Sequence, residues 1–118
     1  MKRILAAMVL LTASMVFAAE MPKTVIHVIT IKWIEGATPE QKAKAISGAE
    51  AAAKLYPGIK RMWIRALKVQ GVGYESAIVM EFESEDALKK YTDSPAQQWW
   101  YKLYLPIRDE SRTHDVTN

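Results

Sequence analysis

Cysteine is absent from this 118-residue chain, which removes disulfides, thiolate metal sites, a cysteine nucleophile and lipoprotein acylation together. Glycine and proline number five each, too few for a collagen-like or low-complexity chain. Histidine occurs twice, so a histidine-built metal centre has little to draw on. Neither sign of charge dominates, with 16 basic side chains against 13 acidic ones. No Gly-x-Ser-x-Gly elbow is found, and Gly71-Val72-Gly73 has no helix N-terminus behind it to hold a phosphate. What is present is a half-apolar chain, 50% hydrophobic and 25% charged, the composition of one ordinary globular domain.

The longest apolar stretch, Ile4 to Phe17, follows Lys2 and Arg3 and is broken only by Thr12 and Ser14. Small residues come next, with Val16 at −3 and Ala18 at −1 of a potential cleavage point. This is the charged, apolar and small-residue order of a signal peptide. At about 1.5 Å per residue the run covers only about two-thirds of a hydrocarbon core of roughly 30 Å, too short for an anchor. Residues 1–18 are therefore expected to be removed, with a cut after Ala18 or, as second choice, Ala19, leaving a periplasmic or secreted protein without a membrane span. Loss of Lys2 and Arg3 leaves 14 basic against 13 acidic side chains, a near-neutral balance that argues against nucleic acid as a partner.

In the remaining chain, Lys23 to Ile34 has strand character on both faces: Val25, His27, Ile29, Ile31 and Trp33 alternate with Ile26, Val28 and Ile34. Thr38-Pro39-Glu40-Gln41 is a capping box, opening a helix to about Leu55 with Ala45, Ile46, Ala49, Ala52 and Ala53 inward. Strands are expected over Ile59–Val69 and Tyr74–Glu83, joined at Gly71 and Gly73, whose glycines supply positive φ. Ser84 caps a short helix carrying Ala87, Leu88 and Tyr91 inward. Ser94-Pro95-Ala96-Gln97 reads as a second capping box before Trp99, Trp100, Leu103 and Tyr104, and a short strand from about Arg112 to Thr117 closes the chain. The order β-α-β-β-α(α)-β predicts an α+β, ferredoxin-like antiparallel sheet with helices on one face. If four side chains like Ile29 or Trp33 stayed in water on the other face, roughly 6–12 kcal/mol of burial would be forgone. A second sheet is the expected cover, with Ile29, Ile31 or Val79 central in a twofold homodimer contact.

Several stretches in this order resemble one family. They are Ile26-His27-Val28 through Lys32, Glu35-Gly36, Pro57-Gly58-Ile59, Tyr74, Phe82-Glu83-Ser84, Ala87-Leu88, Tyr91 and Ser94-Pro95-Ala96-Gln97. The chain is thereby similar, over residues 24–117, to the stress-responsive α/β-barrel (Dabb) domains, which implies a dimeric α/β barrel. Plant polyketide cyclases similar to that family use a histidine of a His-Pro-x-His stretch as base, a helical tyrosine beside it, and a histidine on the first strand. The resemblance places Tyr91 and His27 on the latter two, while the motif's histidines fall on Ser94 and Gln97. Glutamine cannot take a proton near neutral pH.

The resemblance therefore implies a ligand site of His27, Tyr91 and Gln97, to which Trp100 adds an aromatic wall from the same helix. The expected function is binding of a small apolar or aromatic molecule without cofactor. The alternatives are a cyclase-like or lyase-like enzyme using His27 and Tyr91, and an interaction module whose aromatics are all packing. His114 and Asp115 could join His27 around a metal, but their spacing is not that of a metal motif, and none is expected. Lys60, Arg61, Arg65 and Lys68 around Trp63 suit the protection of an edge strand. Glu81 and Glu83 have a spacing compatible with paired acid and base work, but fit better a solvated turn leading into a helix.

Overall fold

The computed structural model describes residues 18–118, so all of the expected signal segment but Ala18 lies outside the described residues. Strand β1 (Val25–Trp33) leads into helix α1 (Pro39–Lys54), β2 (Ile59–Trp63), β3 (Ser76–Phe82), α2 (Glu85–Tyr91), α3 (Pro95–Tyr104) and β4 (Arg108–Val116), with one 3-10 turn at Leu105–Ile107 before β4. The four strands form an antiparallel sheet ordered β2-β3-β1-β4, the ferredoxin-like arrangement expected from the sequence. Among the described residues no helix is long and apolar enough to cross a membrane.

Local chemistry sets the helix starts. Thr38 Oγ1 accepts from the Gln41 amide at 3.1 Å while Gln41 Oε1 accepts from the Thr38 amide at 2.9 Å, so the first capping box is complete. The second is half formed: Ser94 Oγ accepts from Gln97 N at 3.2 Å, but Gln97 Oε1 takes the Asp93 amide at 2.7 Å instead of that of Ser94. The Ser94 N–H is already spent on Tyr91 O, closing α2. Asp93 itself sits at φ 63°, a left-handed position that Asp tolerates better than most residues.

Register decides which side of each strand meets the helices. Val25, His27, Ile29, Ile31 and Trp33 of β1 face the same way as Ile78, Met80 and Phe82 of β3, and Ala45, Ala49 and Ala52 of α1 are buried with them, together with Tyr91, Trp100 and Tyr104. The small side chains of α1 let it lie close to its neighbours. Trp100 Nε1 reaches across to donate to Ala45 O at 2.8 Å. Ile29 and Ile31 are thus core residues beneath the helices, which corrects their expected place in a sheet-to-sheet contact. The uncovered face carries Ile26, Val28 and Thr30 of β1, Ala77 and Val79 of β3 and Trp63 of β2, so Val79 alone of the three lies there.

Two strand boundaries also differ by more than two residues. The second strand ends at Trp63 instead of Val69. It is an edge strand held from one side, and beyond Trp63 each alternating set carries a charge, Lys68 in one and Arg65 in the other; Leu67 and Val72 project into solvent. Gly71 and Gly73, at φ 110° and 79°, do turn the chain. The last strand begins at Arg108, four residues before the expected start, through a register shift opposite Lys32 and Trp33.

Candidate functional site

A cavity of about 220 Å³ lies between the sheet and α2–α3, and His27, Tyr91, Gln97 and Trp100 all line it. Each arrives by a different route. His27 stands mid-strand on the helix-facing side of β1, opposite Asp115 of β4. Tyr91 is the last residue of α2, with its ring 5.3 Å from that of Phe82 and 5.4 Å from that of Tyr56. Gln97 is in the first turn of α3; because its oxygen accepts from Asp93, its NH2 group is what it can offer a ligand. Trp100 spends its N–H on Ala45 and contributes a ring face, stacked on Tyr104 at 4.6 Å with 4° between planes.

The sequence reading missed part of this wall. Ile29, Thr92, Tyr101, Tyr104, Arg108, Ser111 and Thr113 line the same cavity. Arg108 and Ser111 are three apart and would point to opposite faces of a regular strand. The irregularity near Asp109 pairs Arg108 with Trp33 and Ser111 with Ile31, two residues of one face, so both point to the cavity side. The visible signal was the alternation Ser111, Thr113, Asp115, small or polar residues at period two beneath an aromatic helix.

His27 Nδ1 lies 2.5 Å from Asp115 Oδ1, with His27 largely buried and Asp115 half-exposed. An imidazole that donates Nδ1–H to a carboxylate presents Nε2 as an acceptor. His114, by contrast, pairs with Val28 and faces the other side of the sheet, so it cannot join His27 and Asp115 around one ion. Among the described residues no group of three or more His, Cys, Asp and Glu is placed to hold a metal.

The cavity's phenols are out of the ordinary. The hydroxyls of Tyr91 and Tyr104 are both buried; that of Tyr91 has no hydrogen-bond partner among the described residues, while that of Tyr104 has Ser111 and Arg108 beside it. Burial pushes the Tyr91 phenol well above its ordinary value. It does the same to Tyr104, where nearby Ser111 and Arg108 pull the other way, and to Tyr101. All three therefore remain protonated donors at neutral pH. Outside the cavity, Glu81 is buried on the uncovered face of the sheet and grips Arg61 through Nε and Nη2, each at 2.9 Å. The Arg61 fork holds the Glu81 carboxyl below its usual range. That engagement takes Glu81 out of any acid and base pair with Glu83.

The sequence model of the stress responsive A/B barrel domain matches residues 25–118. No curated protein matches the sequence. Among solved structures, a dimeric ferredoxin-like protein of unknown function from Thermobifida fusca superposes with a TM-score of 0.69 at 18% identity, covering 86% of this chain and 97% of its own. The hydroxynitrile lyase of Passiflora edulis gives 0.72 at 15% identity, covering 80% and 93%. A cofactor-independent oxygenase from Streptomyces nogalater gives 0.67 at 12% identity, covering 82% and 94%. At such identities the likeness is one of fold.

Proposed function

Since the chain belongs to the stress-responsive A/B barrel domain family, we propose that it is an exported, homodimeric member whose sheet-to-helix cavity binds one small, largely apolar ring compound. The observation that carries this reading is the cavity itself, walled by Tyr91 and by the Trp100–Tyr104 stack, with the buried Tyr91 hydroxyl left without a partner among the described residues. An unsatisfied buried hydroxyl costs about 1–3 kcal/mol, and a ligand atom that bonds the Tyr91 hydroxyl relieves that cost. Size supports a single ring: an apolar cavity of roughly 150 Å³ takes up benzene, and this one is about 220 Å³. Export rests on the charged, apolar and small-residue order of residues 1–18. Dimerisation rests on the uncovered apolar face of Ile26, Val28, Val79 and Trp63 and on the dimeric state given for the Thermobifida fusca protein.

The test is thermal denaturation of residues 19–118 with a panel of single-ring compounds. A binder at a hundred times its Kd adds about 2.7 kcal/mol, and a saturable rise in Tm is expected. No shift with any ring compound, beside a cavity closed to fragment soaking, would overturn the reading.

A second reading is favoured by one contact. The His27–Asp115 contact holds the imidazole in place on the wall of a cavity of protonated phenols, and an imidazole paired to a carboxylate through Nδ1–H is suited to taking a proton from a bound substrate at Nε2. In a binding protein His27→Gln weakens ligand affinity; in a lyase-like or cyclase-like enzyme it abolishes turnover by a thousandfold or more while affinity changes little.

A further inference from the structure

The cavity contains a cation without a counter-ion. Arg108 lies half-buried on its wall and enters no ion pair among the described residues. The nearby acids are engaged elsewhere or placed elsewhere. Asp109 meets Lys32 at 3.6 Å and Asp115 meets His27, Glu110 pairs with Lys32 on the opposite face, and Asp93 enters no ion pair among the described residues. The guanidinium carbon stands 5.6 Å from the centre of the Tyr104 ring. Arg108 and Ser111 flank the buried Tyr104 hydroxyl.

Guanidinium and phenol offer donors at this end, and no carboxylate is there to accept them. The far end is different: Asp115 is four residues beyond Ser111, about 13 Å along an extended strand, and there His27 has Nδ1 engaged by Asp115 and its Nε2 left for a ligand. The space between is walled by the Trp100–Tyr104 stack. Building on the ligand-binding reading, we infer that the occupant is a ring carboxylate, seated with its carboxylate on Arg108 and the Tyr104 hydroxyl and its opposite edge toward His27, where a ring hydroxyl is the favoured substituent.

The experiment is calorimetric titration of residues 19–118 at low salt with 4-hydroxybenzoate and with its neutral isostere 4-hydroxybenzamide. The acid is expected to bind at least tenfold more tightly. Arg108→Gln should weaken the acid roughly tenfold to a hundredfold, the value of a charged hydrogen bond, and leave the amide nearly unchanged. Tyr104→Phe, which deletes one oxygen and preserves the ring stack, should weaken the acid roughly twofold to tenfold. If the amide binds as tightly as the acid, the charge assignment falls and the neutral ring site stands. If neither binds at millimolar concentration while other single-ring compounds raise Tm, the carboxylate inference alone is lost; if none of them does, both readings fail.

Discussion

Replacing Tyr91 with Phe should make the ligand-free protein more stable and its ligand complex weaker. Tyr91 is 1% exposed, and its ring packs on Phe82 and Tyr56 at 5.3 and 5.4 Å, contacts that phenylalanine keeps. What is deleted is a hydroxyl without a partner, whose burial costs about 1–3 kcal/mol. For a domain of about a hundred residues each kcal/mol moves Tm by roughly 4–8 °C, so a rise of at least 4 °C is expected. Affinity for a ring compound that bonds the hydroxyl should fall by about 0.5–1.5 kcal/mol. Because burial keeps this phenol protonated well past neutrality, the gain should be the same at pH 6 and pH 8. Calorimetry at one fixed protein concentration measures it, since a dimer's Tm depends on concentration. A Tyr91→Phe protein that melts lower than the parent would refute the argument, for it would show the hydroxyl to be bonded within the fold.

Val28→Asp on the uncovered sheet face should turn a dimer into monomers in sedimentation, since an uncompensated charge buried between sheets costs several kcal/mol; a parent protein already monomeric at micromolar concentration would contradict the dimer. Glu81 is held below its ordinary value near 4.5 by Arg61, so its contribution is complete above that pH and is lost as pH falls through the lowered value. Glu81→Gln should therefore be the less stable protein at pH 6, with the difference closing below about pH 4; a gap that widens on acidification would reverse the assignment. Intact mass of the exported protein should begin at Ala19 or Glu20, and a full-length, membrane-retained chain would remove the export proposal.

Where side-chain period and caps determined the outcome, the sequence was sufficient. Thr38 and Gln41 announced α1 and the βαββαβ order produced the sheet; His27, Tyr91, Gln97 and Trp100 line one cavity, but it was the family resemblance, not period or capping, that grouped the first three. What escaped was decided by pairing. Both faces of β1 are apolar, and only the position of the helices tells that Ile29 and Ile31 belong beneath them while Val28 does not. Arg108 was hidden because a one-residue irregularity in β4 resets the alternation, and no periodicity argument survives an inserted residue. Asp115 was placed near His27 from the neighbouring first and last strands, but as a metal ligand beside His114; register makes it the imidazole's hydrogen-bond partner and turns His114 to the other face.

That last pairing bears on when and how the cavity exists. One wall comes from β4, which has no fully buried side chain and is attached to β1 chiefly by its hydrogen-bond ladder. A strand held this way sits at the low end of a protein's range of local stabilities. During synthesis the core of β1, α1, β2 and β3 has its sequence in hand before the wall is made, so the site is the final piece to close. In the finished molecule, amide hydrogens of Ser111–Asp115 should exchange well before those of Ile29–Ile31, each opening exposing the cavity to solvent. An occupant that touches Arg108 and His27 spans the start and the far end of the ladder, and slower exchange along β4 would be the record of its residence.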